Sequence, residues 1–175
     1  MRLNFYLLLC LFPIWTIGIS QQIQLTDQAQ ISVLTCGTGD QLYSSFGHSA
    51  FRVQDPNHGI DIVYNYGTFD FDTPNFYLKF AGGKLLYSLS RQHFANFLYT
   101  YQLENRWVKE QLLDLKTDDK NKLFGFLEEN YKPENRYYQY DFIYENCSTK
   151  IPEVLRGVLG NSLVFRDNHL SIALT

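Results

Sequence analysis

The sequence predicts an α+β fold in which helices pack against an antiparallel sheet. Three observations carry this expectation. Short segments rich in strand formers, each bounded by glycine, proline or asparagine, fill the first half of the chain. Two stretches of the second half place apolar residues at helical spacing. The 175 residues, 45% hydrophobic and 17% aromatic, suffice for one domain with its own core.

The first element is a targeting segment. Arg2 is the only charge before a long uncharged run that ends at Ser20, and Gly18 and Ser20 supply the small residues of a cleavage site. Residues 1–20 therefore read as a secretory signal, and 21–175 as the exported domain. "LLLC" at Leu7–Cys10 is a poor lipid-attachment box, because Leu9 sits where a small residue is wanted. Cleavage removes Cys10 and leaves Cys36 and Cys147, which could form one disulfide in an oxidising compartment.

The elements of the domain follow in order. "ISVLTCGTGD" is a short strand that breaks at Gly37 and Gly39. His48–Val53 and Ile60–Gly67 are two strands joined by the turn "DPNHG", hence a hairpin. "TFDFDTPNFYLKFAGG" is irregular, and Lys84–Ser90 is a third strand. Phe94–Gln102 is a helix with Phe94, Phe97, Leu98 and Tyr101 on one face, and Arg106–Leu115 is another strand. A clear helix begins with Thr117 as N-cap and Asp118 and Asp119 at the positive end of its dipole. It carries the stripe Leu123, Phe124, Phe126 and Leu127, and Pro133 stops it. A last helix follows Cys147, with Ile151, Val154, Leu155 and Val158 in register and Gly160 and Asn161 closing it.

Charge and motif content exclude several function classes. The net charge is −3 with no Lys/Arg run, which argues against a nucleic-acid partner. There is no HExxH, no paired CxxC, no P-loop and no Rossmann glycine pattern, so neither a metal nor a cofactor is expected. Asp70 and Asp72 in "FDFD" could form a carboxylate pair, but they fall in a loop.

The chemistry-bearing stretch is "YDFIYENCSTK", Tyr140–Lys150. Cys147 stands at the start of the last helix, where exposed amides stabilise a thiolate. It is a nucleophile, half of a disulfide with Cys36, or a buried filler; the residues alone leave the three open. A thiol nucleophile needs a base close in space. Of the four histidines, His58 lies in a solvated turn, His169 in the tail, and His93 at a strand-to-helix junction. His48 opens a core strand, which would fix its position. Asn65 on the neighbouring strand is the best-placed group to orient the imidazole, with Tyr64 and Tyr66 pointing to the opposite face.

The segments "LTCGTGDQLYSSFGHSAFRV", "VYNYGTFDFDTPNFYLKFAGGKLLYSL", "ENRWVKEQLLDL" and "YYQYDFIYENCSTK" together resemble one family. It is the periplasmic N-terminal domain of the Lnb-type lipoprotein N-acyltransferases of Bacteroidota, and the resemblance runs from about Ile31 to about Gly160. That family is similar in turn to permuted papain-like enzymes, the group of lecithin–retinol acyltransferase, in which the histidine precedes a cysteine that opens a helix. The resemblance implies Cys147 as nucleophile and His48 as base, on a sheet packed against the cysteine helix. It implies acyl transfer through a thioester, from a membrane phospholipid to the N-terminal amine of a diacylglyceryl lipoprotein, at the periplasmic membrane surface. It implies no third residue; Asn65 is assigned from its position alone.

The sequence departs from the family pattern twice. "NCST" is followed by Lys150, Ile151, Pro152 and Glu153 in place of a basic and acidic run, and Pro152 falls early in the expected helix. Typical members also continue into membrane-spanning helices, whereas this sequence ends at Thr175; a fragment, a truncated gene and a stand-alone variant are the readings of that difference. Two other functions remain open: a papain-like amidase or peptidase of the cell wall, and a non-catalytic envelope domain bridged between Cys36 and Cys147.

Overall fold

The computed structural model describes residues 23–139, 146–160, 163–164 and 172–174. The expected signal segment, Asn161 and His169 lie outside the described residues. The elements run β1 (Gln30–Cys36), β2 (His48–Asp55), β3 (Ile60–Thr68), α1 (Phe76–Ala81), β4 (Leu86–His93), α2 (Phe94–Leu103), β5 (Val108–Leu112), α3 (Thr117–Tyr131), β6 (Tyr137–Gln139), α4 (Cys147–Leu159) and β7 (Ile172–Leu174). Among the described residues, the strands form one seven-stranded antiparallel sheet in the order β6-β4-β3-β2-β1-β5-β7. The α+β class and the β2–β3 hairpin agree with the sequence pattern.

Strand alternation sorts the apolar residues onto two faces. Ile31, Phe51, Val53, Tyr64, Tyr66 and Leu89 form the larger core with Leu123, Phe124 and Leu127 of α3 and Ile151, Val154 and Leu155 of α4. Leu34, Cys36, Ala50, Val63 and Val108 pack on the opposite face against Phe97 and Tyr101 of α2. A third cluster, Phe76, Phe80, Leu85 and Tyr87, sits under α1.

Several boundaries differ from the sequence reading. The stretch expected to be irregular contains α1, a six-residue helix whose entry residue Asn75 is left-handed at φ 57°. So short a helix carries too few turns for a periodic signal. The third strand is displaced to Leu86–His93, because pairing with β3 continues as far as His93 opposite Ile62. β5 is shorter than expected, since Arg106 turns inward to donate to the Gly37 carbonyl before the strand begins. Thr117 is the first helical residue and not the cap; its hydroxyl donates to Asp27 at 2.8 Å instead. Phe126 lies 39% exposed, outside the buried stripe that Leu123, Phe124 and Leu127 make. The short strand β6 was not expected from its polar, aromatic sequence.

Candidate functional site

The site assembles where the ends of β2 and β3 meet the start of α4. His48 is the first residue of β2, paired across the sheet with Cys36. Gly47 turns the chain into that strand at φ 73°, and a Cβ there would lie 2.8 Å from the Cys36 carbonyl oxygen. Only glycine fits both the backbone conformation and the space.

Asn65 lies on β3, and its Oδ1 hydrogen-bonds His48 Nε2. An amide oxygen can only accept, so Nε2 carries the proton and Nδ1 is the basic nitrogen. Tyr64 and Tyr66 point into the opposite core, as strand alternation requires.

Two residues beyond Asn65 the register between β3 and β4 shifts, a bulge spanning Asn65 to Thr68. Gly67 occupies it at φ 94°. A Cβ on Gly67 would sit 3.6 Å from His48 Cε1 and 3.9 Å from Cys147 Cβ. The imidazole and the cysteine thus flank one glycine. Bulges re-aim chain direction beside functional sites, and this one sits between the two groups expected to react together.

The sequence "NCST" is resolved by the cap of α4. Asn146 is the N-cap: its Oδ1 accepts the Thr149 N–H at 3.0 Å, and Thr149 Oγ1 accepts the Asn146 N–H at 2.9 Å. This reciprocal pair is a capping box with threonine at the third position. It fixes Cys147 as the first helical residue, in the turn where backbone amides point out of the helix end. Pro152 does not displace the start; the helix runs through it to Leu159, and Gly160 ends it at φ 50°. The proline is tolerated because the box anchors the first turn independently, and Ile151, Val154 and Leu155 are buried on either side of it.

Cys36 and Cys147 are separate thiols. Burial pushes the Cys36 thiol up to about 12, against the lowering effect of its hydrogen bond with Tyr101. Cys36 is therefore a protonated, structural thiol, while Cys147 is half-buried at the site.

Next to Cys147 opens a cavity of about 440 Å³ lined by Tyr43, Phe46, Phe69, Phe80 and Tyr87 together with Gly47, His48, Gly67 and Asn146. Its volume falls in the usual range for small-molecule sites. The aromatic residues of its wall come from separate segments of the chain, before β2, after β3 and from α1 to β4.

The other candidates lie apart. His58, expected to be solvated, donates from a half-exposed ring to the buried Asp55 at 2.9 Å. His93 ends β4 at the junction with α2. Asp70 and Asp72 are exposed in a turn. Among the described residues, no His, Cys, Asp and Glu group could hold a metal ion, and no helix is long and apolar enough to cross a membrane.

The sequence matches a family model described as the Lnb N-terminal periplasmic domain over residues 20–173. No curated protein and no solved structure matches it.

Proposed function

The chain belongs to the Lnb N-terminal periplasmic domain family, and from that premise we propose that it is a thiol acyltransferase of lipoprotein maturation, with a permuted papain-like arrangement of its reacting groups. Cys147 gives its proton to His48 Nδ1, and the thiolate attacks an ester carbonyl of a membrane phospholipid. The Cys147 N–H, at the helix start, donates to the oxyanion. The carbon–oxygen bond breaks, the lysophospholipid leaves with the proton from His48, and a thioester remains on Cys147. The α-amine of a diacylglyceryl-cysteine then attacks the thioester, its proton passes to His48, and the carbon–sulfur bond breaks to restore the thiol.

One observation carries the reading: His48 and Cys147 flank Gly67 at the mouth of an aromatic cavity, with Asn65 holding the imidazole in one tautomer. The aromatic wall suits an acyl chain better than a cell-wall peptide. The separate Cys36 and Cys147 thiols favour catalysis over a bridged envelope domain. Cys147→Ala and His48→Ala are each expected to abolish lipoprotein N-acylation when expressed in a strain lacking its own enzyme. Mass spectrometry of the unsubstituted protein after lipid exposure should find an acyl group on Cys147. Full complementation by either variant would sink the mechanism.

A further inference from the structure

A second cavity, of about 340 Å³, also reaches His48. It shares Tyr43, Gly47, His48, Gly67 and Phe69 with the first, so one ligand centred on the candidate catalytic pair would reach into both. The two lobes differ in chemistry. Both are walled in part by Tyr43 and Phe69; the second adds Phe71 and Tyr101, and it alone carries a charged pair, Glu104 and Arg106. Among the described residues, Arg106 is the one permanent cation lining either lobe.

Arg106 is held in place. Its side chain is 8% exposed. Nε donates to the Gly37 carbonyl at 2.9 Å, the guanidinium stacks over Tyr101 at 4.6 Å, and Nη1 pairs with Glu104 at 2.6 Å. Nη2 has no hydrogen-bond acceptor among the described residues. The other polar side chains of the lobe are already engaged: Ser44 Oγ with the Gln41 carbonyl, Thr100 Oγ1 with the Asn96 carbonyl, and Thr68 Oγ1 with Ser90. Glu104, by contrast, is 45% exposed and can swing to solvent. A fixed guanidinium with donors to spare, neutralised by a movable carboxylate, is suited to exchange that carboxylate for a ligand anion.

We propose that Arg106 binds the phosphate of the acyl donor, so that the second lobe is a headgroup subsite and the first lobe takes the acyl chain. The inference rests on the acyl-transfer reading above. The phosphate displaces Glu104 from Nη1 and is held by Nη1 and Nη2 together, while the ester carbonyl lies between His48 and Cys147. Arg106 would then set the preference for a phospholipid over a neutral glyceride.

The test is a binding titration on Cys147→Ala protein, so that turnover plays no part. The probes are dihexanoyl-phosphatidylglycerol, dihexanoylglycerol and glycerol 3-phosphate. The phospholipid should bind at least tenfold more tightly than either other probe. Arg106→Gln should remove that preference, leaving the neutral glyceride's affinity unchanged. Glu104→Gln, which leaves the Arg106 contact to Gly37 intact, should raise phospholipid affinity severalfold. An unchanged preference in Arg106→Gln, or weaker phospholipid binding in Glu104→Gln, would overturn the subsite while leaving the acyl-chain cavity standing. Glycerol 3-phosphate binding as well as the phospholipid would overturn the headgroup assignment in favour of a general phosphate site. Binding of none of the probes would overturn both the subsite and the lipid reading on which it rests.

Discussion

Asn65 is the residue whose role depends most on its neighbours. It touches no reacting atom in the proposed chemistry; it acts by holding His48 with Nδ1 as the base. A hydrogen bond to a group that becomes charged during reaction contributes about 1.5–3 kcal/mol. Asn65→Ala should therefore lower kcat by roughly ten- to a hundredfold. KM should change far less than kcat, although Asn65 also lines the second cavity, and Tm should stay near the unsubstituted value, since Asn65 lies outside the buried core. A rise in KM with kcat unchanged would assign Asn65 to substrate binding and refute the positioning role. Gly67 is the complementary case, because its importance lies in what it lacks. An added methyl would touch both His48 and Cys147 and would occupy a left-handed conformation at φ 94°. Such strain costs on the order of 1–3 kcal/mol. Gly67→Ala should show that loss in a denaturant titration together with a fall in acylation beyond tenfold. Normal activity at reduced stability would mean that the two groups do not need the gap. Both glycine and asparagine stood in the sequence motif "NYG", but only Asn65 could be read from it. Strand alternation places Asn65 on a face, whereas a bulge has no periodic signature.

At the scale of elements, hydrogen-bonded ends decide more than propensity does. The α4 start is set by the Asn146–Thr149 box, which overrides the discouraging Pro152. The box was visible as "NCST", but its threonine replaces the usual Glu or Gln, so the pattern did not read as a cap. The turn between β2 and β3 is a second such end. Asp55 is fully buried and accepts from the Thr26 N–H, the Thr26 hydroxyl, the Asn57 N–H and His58. It therefore ties the segment before β1 to the hairpin. Burial would raise its carboxyl, but these four donors outweigh it and bring it from the ordinary 3.8 to about 2. The folded value lies below the unfolded one, so the stability Asp55 contributes is complete above about pH 4 and is lost as pH falls toward 2. Asp55→Asn should cost about 2–4 kcal/mol at pH 7, because buried donors lose their charged acceptor. Calorimetry at pH 7 and pH 2.5 should show the gap in Tm between variant and parent shrinking at the lower pH. A gap of the same size at both would mean that the carboxylate charge is not what holds the turn.

At the scale of the whole molecule, the described residues divide their labour between two deep cores and one shallow cluster. The faces under α2 and under α3 with α4 bury the large aliphatic and aromatic residues that any compact sheet needs. This part of the fold was legible, because periodicity of 2 and 3.6 is how such cores are written. The α1 cluster is different: two of its rings, Phe80 and Tyr87, line the cavity beside Cys147. Phe46 is 78% exposed at the cavity rim, and Tyr77 and Leu78 on α1 are 65% and 76% exposed. Phe71, 53% exposed, packs edge-on against Tyr43 and beside Phe76, which joins the outer residues to the cavity wall. Isolated exposed apolar residues need no explanation, but several on the segments that supply the cavity walls form a surface suited to lipid. If the proposed donor is drawn from a bilayer, these side chains enter the interface while the cavity receives the chain. Each would contribute about 1 kcal/mol or more on leaving water. The double variant Tyr77→Ser, Leu78→Ser should therefore bind phosphatidylglycerol vesicles at least tenfold more weakly in a sedimentation assay. Its rate on a short-chain phospholipid dissolved below its micellar concentration should remain near the parent's, because the cavity and the Cys147–His48 pair are unchanged. Equal loss on soluble and vesicular substrate would place these residues in the cavity's own work and leave the membrane approach to another surface.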